Sequence, residues 1–250
     1  MASSTFAPHY HPAQHPLLII ERFLRDRDSV WQQIDREERL SELIRQMLMS
    51  SAIALASYGA VLGFAQGLWQ ALASAIKLPL LFLLTLAVCL PTLYVYNLLC
   101  GGRVSPRQAL ALVLAAITIT ATFTLAFAPI TLFFLITGQS YHFFILLNVA
   151  ILGLTGSVGL SFLLNGARQL NALAQANQTP TLEDERNHQR PQINLLLLGV
   201  WLGLYAFVGA QLGWALRPFF GIPGEPFVLF RTIGGDFYTS IITMIQWSLR

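Results

Sequence analysis

Five long apolar runs dominate the chain, at about 47–68, 78–99, 108–128, 142–164 and 193–216. A helix crosses a bilayer with about 20 predominantly apolar residues, so the pattern predicts an all-α, polytopic bundle of five transmembrane helices. The flanks differ. Residues 1–16 are rich in Pro and His and predict a disordered tail. Residues 17–46 mix charges with apolar positions at helical spacing, and Leu40, Leu43, Ile44, Met47 and Leu48 share one face. They predict an amphipathic arm capped by Asp28 or Ser29, resting either on an anionic membrane surface or on the other cytoplasmic loops. Residues 165–192 predict a polar cytoplasmic loop. The apolar segment 237–250 is too short to cross, and extending it backwards would bury Arg231 and Asp236 at about 2.5–3.5 kcal/mol each. It predicts a short interfacial helix capped by Asp236.

Small residues recur inside the runs. Gly59, Gly63 and Gly67 in the first, Gly153, Gly156 and Gly159 in the fourth, and Gly199, Gly203, Gly209 and Gly213 in the fifth predict packing seams. Without a side chain, another backbone comes close enough for dispersion contact. Pro79 fits the first turn of the second span, Pro91 a kink within it, and Ser105-Pro106 the start of the third helix. Pro129 predicts a bent extension after the third span. Thr118, Thr120, Thr122 and Thr124 predict hydroxyls bonded to carbonyls one turn back, with a polar pore stripe as the alternative. Asn148 in the fourth span predicts a bond to another helix.

Charge changes the picture through its placement. The chain has 250 residues, 55% hydrophobic and only 11% charged, with a formal net charge of +3; soluble domains carry about 25% charged residues. Six arginines between positions 22 and 45 precede the first span. Arg103 and Arg107 follow the second, and Arg168, Arg186 and Arg190 follow the fourth, whereas the opposite loops hold only Lys77. The asymmetry predicts a cytoplasmic N-terminus, and five spans carry the C-terminus across. Cys89 and Cys100 are eleven residues apart in one helix, about 16 Å, too far for a disulfide.

With these boundaries no Asp, Glu, Lys or Arg falls inside a span, whereas proton coupling and most intramembrane catalysis need an ionisable group at depth. No zinc pattern, nucleophile elbow or phosphate-binding glycine loop occurs, and no basic cluster interleaved with aromatics marks a nucleic-acid surface. The expectation is no enzyme, no cofactor and no metal.

The most distinctive stretch is GAQLGWALRPFFGIPGEPFVLFRTIGGD, 209–236. Pro218 ends the fifth helix near Arg217. Phe219 and Phe220 suit an interface, and Glu225 and Asp236 are partners for Arg217 and Arg231. It predicts a far-side interfacial cap, read either as a clasp on the bundle or as a docking surface for a partner protein or lipid. Gln211, Trp214, Arg217, Pro218, Phe219, Phe220, Glu225, Arg231 and Asp236 are its candidate contacts.

That stretch, with KLPLLFLLTLAVCLPTLYVYNLLCGGRVSPRQALALVL, resembles a family of bacterial multi-span membrane proteins. Its marker is a Gly-x-Gln-x-Gly-Trp-x-Leu-Arg-Pro-Phe string before a Gly-x-Pro-x-x-Pro-Phe turn, and the likeness extends from Leu17 to the end. It implies a bacterial inner membrane and no particular activity. More loosely, the topology and the LLCGGRVSPRQAL loop resemble the Yip-type membrane proteins, whose eukaryotic members act in vesicle traffic and membrane shaping. The functional expectation is a scaffold or assembly subunit with a membrane-protein partner or a second copy of itself. One alternative is a channel for a small neutral solute lined by the threonines, Asn148 and Gln211. Another is a lipid-modifying enzyme built on Glu225, Asp236 or His142.

Overall fold

The computed structural model describes residues 18–99, 105–137, 141–176, 195–216, 219 and 229. The expected tail at 1–16, Cys100, the turn at 138–140, most of the 165–192 loop and the 237–250 segment lie outside them. The described elements are α1 (Leu18–Arg25), α2 (Arg27–Asp35), α3 (Leu40–Gly63), α4 (Leu68–Leu99), α5 (Pro106–Ala126), α6 (Ala128–Ile136), α7 (Tyr141–Ala176) and α8 (Leu195–Ala215), with a 3₁₀ turn at Phe64–Gln66. No strand occurs among the described residues. Five helical segments are long and apolar enough to cross a membrane: α3, Leu68–Val95 of α4, α5 with α6, Phe143–Leu173 of α7, and Leu196–Ala215 of α8.

The helix ends follow local chemistry. Ser105 Oγ accepts from the Gln108 N–H (3.2 Å) while Gln108 Oε1 accepts from the Ser105 N–H (3.1 Å), a reciprocal capping box with Pro106 beside it. Asp26, not Asp28 or Ser29, caps α2 by accepting from the Ser29 N–H (3.3 Å). The third apolar run breaks between α5 and α6 at Phe127, just before Pro129, which cannot continue a regular helix.

Several boundaries depart from expectation. The first span begins at Leu40, so part of the predicted arm is continuous with it, and it stops at Gly63. Gly67 is therefore no seam residue: with φ +112° it forms the exposed turn into α4, and an added Cβ there would meet nothing. The second helix starts ten residues early, at Leu68, which puts Lys77 and Pro79 inside it. The expectation that no ionisable residue lies in a span fails: the spanning segments include Glu42 and Arg45, Lys77, Arg107 and Arg168, of which Lys77 is buried. The fourth helix runs on to Ala176, so the start of the predicted polar loop is helical.

The arm's apolar side chains pack on the bundle. Ile19, Phe23, Val30, Trp31 and Ile34 are buried with Leu112, Leu163 and Leu170 in one cluster. Phe23 and Trp31 meet Phe162 with ring centroids 5.5 and 5.1 Å away. Gln108 Nε2 donates to the carbonyls of Ile34 (3.2 Å) and Asp35 (3.1 Å), tying the end of α2 to the start of α5.

Glycines act as seams at some positions only. At Gly59 an added Cβ would lie 2.9 Å from the Ser74 carbonyl carbon, and at Gly63 2.7 Å from the Ala71 Cα, so α3 and α4 form a tight antiparallel hairpin. Gly159 meets α5 and Gly166 meets the Trp31 ring. Gly209 and Gly213 make ordinary contacts with Thr85 (3.5 Å) and Leu81 (3.8 Å) of α4. At Gly153, Gly156, Gly199 and Gly203 an added Cβ would meet nothing within 4 Å among the described residues, so these expected seams are not seen there.

Candidate functional site

Gln70, Ser74 and Lys77 follow one another by four and three residues along α4, so they share a face. All three are buried, Lys77 to 4% exposure, in a helix that is otherwise almost wholly apolar. The face turns towards α3 because Gly59 and Gly63 admit the α4 backbone there. Gln70 Nε2 and Ser74 Oγ are 3.4 Å apart. Ser74 Oγ also donates to the Phe219 carbonyl (2.6 Å), and Lys77 Nζ donates to the Leu229 carbonyl.

A second polar group joins three other helices. Tyr58 on α3 donates to Asn148 Oδ1 on α7 (2.6 Å), and its oxygen lies 3.2 Å from Thr131 Oγ1 on α6. Asn148 Nδ2 donates to the Phe144 carbonyl (2.7 Å), which fixes the amide with its oxygen towards the tyrosine. In a medium without water each of these groups costs free energy unless bonded. The expected cross-helix bond of Asn148 is therefore present, and its partners are Tyr58 and its own helix.

The threonine row resolves in favour of back-bonding. Thr118, Thr120, Thr122 and Thr124 donate to the carbonyls of Leu114, Ala116, Thr118 and Thr120 at 2.7–2.9 Å. Thr124 and Thr155 also join α5 to α7 (2.9 Å). Thr118, Thr120, Thr124 and Asn148 are buried, and Thr122 is half-buried. On the other side of α4, Trp201 Nε1 donates to the Cys89 carbonyl (2.8 Å) and Tyr205 to the Phe82 carbonyl (3.2 Å).

Of the candidate contacts in 209–236, Gln211 and Trp214 are half-buried on α8. Phe219 packs against the cluster of Leu55, Tyr58, Leu62 and Leu78. Arg217, Pro218, Phe220, Glu225, Arg231 and Asp236 lie outside the described residues, as does the side chain of His142. Sequence reasoning missed Ser74, Lys77, Tyr58 and Trp201. Lys77 was legible only as a loop residue, because Pro79 two positions later imitates a helix start.

Chemically, this arrangement supplies donors to backbone carbonyls and holds one cation away from water. Among the described residues no group of three or more His, Cys, Asp or Glu gathers as a metal site. The chain matches no family model, no curated protein and no solved structure.

Proposed function

We propose that the chain is a scaffold or assembly subunit of a membrane complex, inserted in a bacterial inner membrane with the arm in the cytoplasm. The supporting observation is how the buried polar side chains are used. Tyr58, Asn148, Thr124, Ser74, Lys77 and Trp201 each bond another element of the same chain. A bundle whose interior polar groups serve its own cohesion works through its surface, and 209–236 is the most distinctive stretch of the sequence. Its docking residues are Gln211, Trp214, Arg217, Pro218, Phe219, Phe220, Glu225, Arg231 and Asp236. The solute-channel alternative required the α5 threonines and Asn148 as open lining, and nothing observed favours it.

The test is purification in a gentle detergent with identification of co-purifying membrane proteins. Trp214→Ala and Arg217→Ala should lose a partner that the parent retains, with helicity and elution unchanged. Retention of every partner by both folded variants would refute the reading.

A further inference from the structure

The chain from Arg27 to Tyr58 contains no glycine or proline. It nevertheless breaks at Arg36–Arg39, between the end of α2 at Asp35 and the start of α3 at Leu40. Arginine and glutamate fill the break, and both favour helix. Glu37 (φ 55°) and Arg39 (φ 49°) are instead left-handed, a conformation that costs free energy for any residue with a Cβ. No cap offsets that cost, since Arg39 at the start of α3 makes no side-chain bond to the helix. Local chemistry therefore favours one continuous helix, and the bend is imposed from outside it.

Two sets of contacts impose it. The first is burial. Ile34 and Leu43 belong to one buried cluster, but on a single helix their nine-residue spacing would set them roughly 180° apart. The bend brings the apolar faces of α2 and α3 onto the same core. The second is Gln108 of α5. In a continuous helix the carbonyls of Ile34 and Asp35 would accept from the amides four residues on, those of Glu38 and Arg39. Gln108 Nε2 donates to both carbonyls instead. The Glu38 N–H reaches the Gln33 carbonyl (3.2 Å), five residues back and out of α-helical register.

We infer that Arg36–Arg39 is a strained hinge and the α1–α2 arm a strap. Gln108 and the shared core hold the strap bent. On release the hinge becomes helix, joins α2 to α3 and turns the Ile34 side of α2 away from the core. This goes beyond the scaffold reading and does not depend on it. The strain exists only while the arm is docked, so it eases opening without removing any contact that seats the arm.

The experiment uses the full-length protein in nanodiscs and reads arm opening from amide hydrogen exchange in α2. Glycine accepts a left-handed backbone and weakens a helix, so Glu37→Gly combined with Arg39→Gly favours the docked state on both counts. It should slow α2 exchange at least ~10-fold. Arg36 is right-handed (φ −79°) when docked and would be so in the released helix, so Arg36→Gly should leave exchange within ~3-fold of the parent. Unchanged or faster exchange in the double-glycine protein would overturn the strained hinge. The released state is read with Cys89 and Cys100 replaced and spin labels at Gln32→Cys and Arg45→Cys, both exposed. Adding Trp31→Ala and Ile34→Ala should give one narrow separation near the ~20 Å that thirteen helical residues span. A broad distribution would overturn the helical hinge, and a folded variant that keeps the parent distance would overturn the role of the shared core. The exchange result decides the strain whether or not that variant folds.

Discussion

Gly59→Ala, compared with Gly203→Ala, isolates close approach in the α3–α4 hairpin from helix propensity. Both positions are helical, so alanine favours each by up to about 1 kcal/mol over glycine. At Gly203 an added Cβ meets nothing within 4 Å, leaving that gain intact. At Gly59 it would meet the Ser74 carbonyl carbon at 2.9 Å and the Ala75 Cα at 3.1 Å. These are backbone atoms of a helix held by its own hydrogen bonds, so α4 must shift as a body. Overpacking of this kind costs about 1–3 kcal/mol, and backbone obstruction argues for the upper end. The expected net is a loss of about 2 kcal/mol at Gly59 against a gain of up to about 1 kcal/mol at Gly203. Reversible unfolding in mixed micelles, followed by helical circular dichroism, reads the difference. Equal stabilities for the two variants, or a more stable Gly59→Ala, would refute the claim that bare backbone contact joins α3 and α4.

Three further outcomes follow from the same contacts. Trp31→Ala empties the space over Gly166, where the ring lies against the α7 backbone; it should cost about 3–5 kcal/mol and expose the α1–α2 arm to limited proteolysis while α3 to α8 stay resistant. Tyr58→Phe removes the hydroxyl shared by Asn148 and Thr131 and should destabilise the bundle by about 1–2 kcal/mol in the same unfolding assay. Arg39→Gly relieves a left-handed residue, φ 49°, at the start of α3 and should be neutral to stabilising by about 1 kcal/mol; a clear loss would mean the arginine side chain contributes more than the strain.

Among the described residues, the five helices long and apolar enough to span a membrane are already legible in the chain as written. Transfer to lipid depends on apolar length, and length and composition are local properties. The start of α5 was legible for the same reason, since Ser105, Pro106 and Gln108 form their cap among themselves. The threonine bonds were legible because each acceptor lies one turn away on the same helix.

What was not legible depends on which surfaces meet. The α3–α4 turn was expected at 69–77 rather than at 64–67, because its neighbours Phe64, Leu68 and Trp69 are apolar, with no run of polar residues to mark it, and Pro79 drew the helix start ten residues too late. Glycines look alike in a sequence. Tertiary contact makes Gly59 and Gly63 a seam, Gly67 a turn and Gly203 an open face, because the role of a missing side chain is set by whatever stands opposite. The same holds for Lys77. Its contact with the Leu229 carbonyl, 152 positions along the chain, exists only once α8 has returned alongside α4.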